Sequence, residues 1–510
     1  MPEVGEGRSG FWREALLLTV LALVLYVCTL APTVLWGDGG HLQLNAVEGV
    51  LQGSAGSHPL WVWIAHQFTH LPWGDIAGRV NLVSAVFGAL TIGVLYLLLR
   101  EVGIRRVPAI LATLSLMISH TFWSHAVQAE VYTLTLSLMT LAAWLGLRWY
   151  HTGKRLYLVA LGLTLGIGLA AHLMVVLYGP ALLWLLFRRR WDGRGVLGAV
   201  LAGLAGIAPL LWLLARDVST LGLQGIGILR WALVSFEGYD FGSALFDFSL
   251  RMLPHDTFEW LAYLSLQFVG VAGLCGVLGL VKSRKLAGRD VAVYVLLLYL
   301  GALIFSFAYR VGDRYVFYLP SYLPFTVWIG FGFQWVEERW QQRSWQAATR
   351  WASLAALALL TVMAPLAAYR LAPELVARGI TFRDTRHVPG PGGKYFFLWP
   401  PKTGYDDPRV YAEAALTVAP PGTVLLADPI LSSPIRFLQR VEQVRPDVTV
   451  RYCCWDIVCA LRESKGRPIV LADADEIIYP IVWLQEQYII QYREPVYLLL
   501  EKRPLVAEKP

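Results

Sequence analysis

The stretch Trp36-Gly37-Asp38-Gly39-Gly40-His41 follows directly on an apolar run from about Glu14 to Trp36. About 20 apolar residues suffice to cross the hydrocarbon of a bilayer. A carboxylic acid and an imidazole therefore stand where the chain leaves lipid for water, and ionisable groups at such a boundary are functional candidates by default. A carboxylate with one side toward lipid has a raised pKa, which suits it to take a proton near neutrality. Other ionisable residues fall at the same expected face: His58 ahead of Pro59, His120, His125 and Glu130 between two later apolar runs, His172 between two more, and Arg310, Asp313 and Arg314 before another. Gathering so many polar groups at one membrane face is costly unless they pair or bind something. Taken singly, each has a plainer reading. Asp38 suits a turn, Glu130 the N-terminus of a helix, His172 an interfacial bond to backbone, and Arg310 and Arg314 snorkelling or pairing with Asp313. The two guanidinium forks also match the oxygens of a lipid phosphate.

The elements that must position these groups are mostly apolar. The 510 residues are 56% hydrophobic, 13% aromatic and 15% charged, against about 25% charged for a soluble domain. The chain reads as an integral membrane protein. The net charge of +7 is the Lys/Arg excess of cytoplasmic loops and does not call for nucleic acid as a partner. Basic clusters at Arg8/Arg13, Arg100/Arg105/Arg106, Arg148/Lys154/Arg155, Arg188–Arg194, Lys282–Arg289 and Arg339/Arg343/Arg350 punctuate the apolar runs. Placing all of them in the cytoplasm predicts eleven spans, near 14–36, 79–99, 107–123, 131–147, 156–171, 173–187, 196–215, 257–281, 291–309, 315–337 and 351–369. The N-terminal run is too long for a cleaved signal peptide and reads as a first span with a cytoplasmic N-terminus. An odd count leaves the C-terminal part outside. Leu60–Phe68 should lie along the interface as an amphipathic helix. Trp231, Phe236, Tyr239, Phe241, Phe246 and Phe248, in the outer loop 216–256, suit the headgroup belt.

After about Arg370 the composition changes, and 388–393 reads as a linker. Strands near 423–428, 448–452, 469–472 and 496–500, alternating with helices, predict a small, mostly parallel α/β domain. The predicted division is a transmembrane domain 1–370 and an extracytoplasmic domain 371–510. Of five cysteines, Cys28 and Cys275 lie in apolar runs, while Cys453, Cys454 and Cys459 allow one disulfide but no zinc site. Asp38 with Glu130 could hold a divalent cation, but no full set of oxygen ligands comes with them.

Gly37-Asp38-Gly39-Gly40-His41-Leu42 followed by His58-Pro59 resembles the first-loop signature of a family of multi-pass proteins, Gly-Asp-Ser-Gly-Glu-Leu and then His-Pro-Pro-Gly. Thr121-Phe122-Trp123-Ser124 to Glu130-Val131-Tyr132-Thr133 is similar to its second signature, Phe317–Tyr322 to a third and Arg445–Val448 to a fourth. Two departures stand out: His41 replaces a common acid, and Leu60-Trp61 follow Pro59. The eukaryotic branch includes an endoplasmic-reticulum transmembrane protein O-mannosyltransferase. The resemblance implies a GT-C-like α-helical polytopic membrane protein, with about 11 transmembrane helices and a C-terminal soluble α/β domain. It implies a glycosyltransferase that moves a sugar, mannose in the eukaryotic branch, from a polyprenyl-phosphate donor to a hydroxyl of a protein, glycan or lipid at the outer face of the cell membrane. Asp38 would be the catalytic base, Glu130 and His58 would support it or orient the sugar, His41, His125 and His172 would bind substrate, and Arg310 and Arg314 would stabilise the leaving phosphate. Direct displacement predicts inversion. The alternatives are a polyprenyl-lipid or polysaccharide carrier, which would place its charges near the midplane on repeated broken helices, and a non-catalytic assembly protein.

Overall fold

The computed structural model describes residues 9–236, 239–240, 244–245, 247–343, 347–379, 387–452, 457–464 and 466–502. Arg8, Phe241, Phe246, Cys453 and Cys454, on which the sequence reading drew, lie outside them. The first helix, α1 (Ser9–Cys28), is shorter than the expected span. Pro32 has no backbone N–H and cannot continue it, so the residues up to Trp36 form a loop before α2 (Gly37–Glu48). The short α3 (Pro59–Thr69) fits the expected interfacial helix: Trp61, Val62 and Ala65 are buried while Trp63 faces out.

Then come α4 (Ile76–Glu101), α5 (Arg106–Met117), α6 (His120–Ala126), α7 (Tyr132–Thr152), α8 (Arg155–Ala171), a 3-10 turn at Leu173–Tyr178, α9 (Gly179–Arg188) and α10 (Gly193–Leu221). A small element, α11 (Ile226–Val234), leads to a two-stranded ribbon of β1 (Ser235–Phe236) and β2 (Tyr239–Asp240). The membrane part closes with α12 (Leu253–Gln267), α13 (Val271–Ala287), α14 (Arg289–Ala308), a 3-10 turn at Arg314–Tyr318, α15 (Leu319–Gln341) and α16 (Ala347–Ala377). By length and composition, six of the described helices can cross a membrane, or eight if two sharply bent pairs each count as one span. Each expected segment corresponds to a helix or a bent pair, but α8 and Leu173–Arg188 are short, and α7 carries Thr133, Thr135, Ser137 and Thr140.

The expected continuous span 257–281 is broken. α12 and α13 meet at 116° across Gly270, whose φ of +72° favours glycine. Tyr369 on α16 donates to the freed Leu266 carbonyl (3.0 Å). Gln267 accepts from the Thr121 amide (2.7 Å) and donates to its hydroxyl (2.8 Å), which tethers the break to α6.

The chain alternates between two ends. One holds the basic turns, tied by Arg148–Glu101 (2.8 Å), Arg188–Asp290 (3.0 Å) and Arg105–Glu338 (3.4 Å). At the other gather the segment after α1, the one before α7, His172 and the turn before α15. The C-terminal unit sits on this second end. Its helices are α17 (Gly393–Phe396), α18 (Asp407–Val418), α19 (Pro429–Val441), α20 (Ile457–Glu463) and α21 (Ile481–Gln487). Its strands are β3 (Val424–Ala427), β4 (Thr449–Tyr452), β5 (Ile469–Leu471), β6 (Tyr488–Arg493) and β7 (Val496–Glu501), in the order β4-β3-β5-β7-β6. The β4-β3-β5 half is parallel, as expected. The β5-β7-β6 half is antiparallel, and β6 was not foreseen.

Candidate active site

Asp38 lies in the first turn of α2, where the positive end of the helix dipole favours a carboxylate. The glycines around it have a steric reason. Gly37 takes a φ of +56°, and an added methyl at Gly40 would strike the Leu35 carbonyl. α2 is fixed by a buried amide pair. Gln43 accepts from the Leu35 amide (3.0 Å) and donates to Asn81 Oδ1 (2.7 Å). Asn81, on α4, donates to Ala31 O (2.9 Å) and accepts from the Ala129 amide (2.9 Å). One turn along α4, Ser84 accepts from the Glu130 amide (3.0 Å) and donates to its carbonyl (3.1 Å). Two helices thus hold the Asp38 and Glu130 backbones in one frame.

Both side chains face a cavity of about 920 Å³. Its polar wall carries Asp38, His41, His58, Glu130, Tyr132, His172 and Asp313, and the rest is apolar, with Met174, Leu177, Ile304, Phe305 and Phe317 among its residues. The ring of His58 stacks on that of His172 (4.9 Å between centroids), and His58 Nδ1 lies 3.0 Å from the Ala171 carbonyl. Tyr132 leans on His172 and Phe317.

The electrostatics follow from burial. Asp38 opens to the cavity but is desolvated by the protein around it, which raises its pKa, while the charge of His41 one turn on pulls it back. Glu130 is pushed well above the usual carboxylate range, first by burial and then by Asp38 and Asp313. Burial lowers His58 to about 4 against the raising effect of its bond to Ala171, and lowers His172 well below the ordinary imidazole value with help from His58. Both imidazoles are neutral near pH 7.

The expected residues do not all reach the cavity. His41, His58 and His172 line it. His125 sits behind the wall, its Nε2 4.0 Å from Glu130 Oε1 and its Nδ1 2.8 Å from the Thr121 carbonyl. Arg310 and Arg314 do not line it. Arg310 pairs with Asp256 (2.6 Å), and Arg314 pairs with Asp256 (2.9 Å) and Glu259. Asp256 is fully buried, so its charge claims both guanidinium groups, and no Lys or Arg stands among the described lining residues. His255, Asp256 and Glu259 have metal-like spacing, but the two arginines occupy the carboxylates. Gln43, Asn81 and Ser84 were missed. An asparagine inside the apolar run of α4 was the available signal.

The architecture is the GT-C fold of polytopic membrane proteins, with a small sheet at the C-terminal end. It is similar to ArnT from Cupriavidus metallidurans, in the apo state (TM-score 0.60, 16% identity, 97% of this chain and 98% of that one) and bound to undecaprenyl phosphate (TM-score 0.58, 15% identity, 95% and 97%). The profile of the family described as "Protein O-mannosyl-transferase TMEM260 N-terminal domain" matches residues 53–194, a stretch that includes His58, Glu130 and His172 but begins after Asp38. Protein O-mannosyl-transferase TMEM260 of Mus musculus is 28% identical over 224 residues, 42% of this chain. The match spans 32% of that relative's length.

Proposed function

We propose that this chain is a glycosyltransferase that moves a sugar from a polyprenyl-phosphate donor to an acceptor hydroxyl at the non-cytoplasmic face of the plasma membrane. The observation that carries the reading is a cavity whose polar wall holds the carboxyls of Asp38, Glu130 and Asp313 and whose remainder is apolar. A lipid-linked sugar has the same division. The mouse relative's name, and the lipid in the ArnT structure, support the same donor and reaction class. With the basic turns on the cytoplasmic side, the cavity and the unit 371–510 face outward.

The acceptor oxygen attacks the anomeric carbon while Asp38 takes its proton. The bond from that carbon to the phosphate oxygen breaks, and its electron pair leaves with the polyprenyl phosphate. Glu130, protonated in its buried setting, donates a hydrogen bond to the sugar or to the departing oxygen, where growing charge strengthens it. The neutral pair His58 and His172 walls the sugar. The result is inversion, with mannose and a protein hydroxyl the first donor and acceptor to try.

The test is transfer of labelled sugar from polyprenyl-phosphate mannose by the purified chain. Asp38→Asn should keep donor binding and lose transfer by a factor of 10² or more, in the ~10²–10⁴ range of general-base catalysis. Full transfer by that variant removes the proposal.

A further inference from the structure

A second concavity lies at the opposite end of the molecule. α13 and α15 run against each other with their backbones in contact, because Gly279 and Gly332 have no side chains. A methyl on Gly279 would collide with the Trp328 carbonyl, and one on Gly332 with that of Cys275. One turn further, this close approach brings together two basic stretches that the sequence keeps some fifty residues apart. Lys282 and Lys285 project from α13, and Trp335 and Arg339 from α15, around a hollow of about 150 Å³. Lys282 Nζ stands 5.7 Å from the centroid of the Trp335 ring, and Arg339 Cζ stands 4.9 Å from it.

Two cations thus share one indole, with a third beside them, and among the described residues none of the three is paired with an acid. The one carboxylate in the wall, Glu338, is engaged elsewhere: its Oε1 lies 3.4 Å from Arg105 and accepts from Gln334 (3.3 Å). Like charges held this close repel, and an anion between them removes the repulsion. The hollow is near the end of α15, roughly 24 Å along the helix from its start beside the catalytic cavity, at 1.5 Å per residue. It is therefore at the basic face of the membrane part, where phosphate headgroups lie.

We infer that the hollow between α13 and α15 binds a phosphate group, presented by an anionic membrane lipid of the leaflet opposite the catalytic cavity. The phosphate bridges Lys282, Lys285 and Arg339, and the Trp335 ring packs against the glycerol or the first carbons of the chains. Trp335 makes this a site rather than a diffuse basic surface, since it fixes two of the cations from one side.

The experiment uses the full chain in neutral detergent and counts bound phosphatidylglycerol by native mass spectrometry, with inorganic phosphate as a second probe. The test variant is Lys282→Gln/Lys285→Gln/Arg339→Gln. The control Lys154→Gln/Arg190→Gln/Arg194→Gln removes the same charge from exposed residues at the same end. The test variant should bind the tightest phosphatidylglycerol at least tenfold more weakly, and the control should bind as wild type. Competition by millimolar inorganic phosphate with retained lipid preference supports the headgroup assignment. Binding of inorganic phosphate with no preference for lipid overturns the lipid and leaves a free-anion site. Equal weakening in test and control, or none in either, overturns the site. The exposed single variant Lys285→Glu repeats the comparison should the triple variant not fold, and wild-type affinity in it also counts against the site.

Discussion

At the scale of residues, the account turns on how Asp38 and Glu130 share the work. Burial, with the charges of Asp38 and Asp313, pushes Glu130 well above the usual carboxylate range, and in the proposed reaction it is the protonated partner of the base Asp38. Activity should rise with pH as Asp38 loses its proton, above the ordinary aspartate range, and fall again as Glu130 ionises. Glu130→Gln keeps a neutral hydrogen-bond donor, so it should retain measurable transfer and lose the alkaline limb of the profile. Glu130→Ala should lose transfer. His41→Ala removes the charge that lowers the Asp38 pKa, so the acid limb should move to higher pH. Profiles of kcat across the three variants check this. The carboxyls and histidines were legible in the sequence because charge at a membrane boundary is conspicuous. The arginines were misread for the converse reason. Their partners Asp256 and Glu259 lie more than fifty residues upstream, and only the fold brings them into contact. Arg314→Ala leaves the buried Asp256 with Arg310 as its remaining arginine and should cost about 1.5–3 kcal/mol of stability, the range of a hydrogen bond to a charged group, read as a lower Tm in detergent.

At the scale of elements, α2 and α4 form one positioning device. Asn81→Ala takes one acceptor from the Gln43 amide, which keeps the Thr33 carbonyl (3.3 Å), and strands the Ala129 N–H and the Ala31 carbonyl, each at a cost of about 1–3 kcal/mol when left unsatisfied. It should lower kcat with little change in donor KM, because the cavity's apolar wall is untouched. Steady-state kinetics separate the two terms. The helix pattern itself was legible, since apolar runs and alternating basic turns mark where the chain reverses. The breaks were not. The bend after α12 turns on Gly270, and tyrosines of other helices take carbonyls at both breaks, Tyr26 that of Met117 and Tyr369 that of Leu266. β6 was hidden because Tyr488–Arg493 is a largely exposed edge strand that sets only Tyr488 and Ile490, both partly buried, against the core.

At the scale of the whole molecule, the C-terminal unit is joined to the cavity end by many polar contacts. Trp36 donates to Tyr405 (2.8 Å), the Lys402 amide to Thr29 O (2.9 Å), and Arg409 to Asp75 (3.0 Å). The Lys402 ammonium is buried against the Trp399 and Pro400 carbonyls (2.5 and 3.2 Å), and burial lowers its pKa to about 7. The free lysine keeps its proton to about 10.5, so the detached state binds more protons between these values. Docking should tighten as pH rises through that window and be flat below it. The protection of amides 398–405 against hydrogen exchange, taken relative to their intrinsic rates, should rise with pH through this window in the wild type, and Lys402→Met should abolish the rise.

The central claim is a carboxylate that takes the proton of an acceptor hydroxyl poised on the anomeric carbon of a lipid-linked sugar. A structure of the chain with a non-hydrolysable polyprenyl-phosphate sugar and an acceptor hydroxyl tests it most directly. The account predicts the sugar at the polar wall, the prenyl chain along the apolar remainder, and an acceptor oxygen bonded to Asp38 about 3–3.5 Å from the anomeric carbon. A headgroup bound elsewhere, with Asp38 facing an empty cavity, would contradict it.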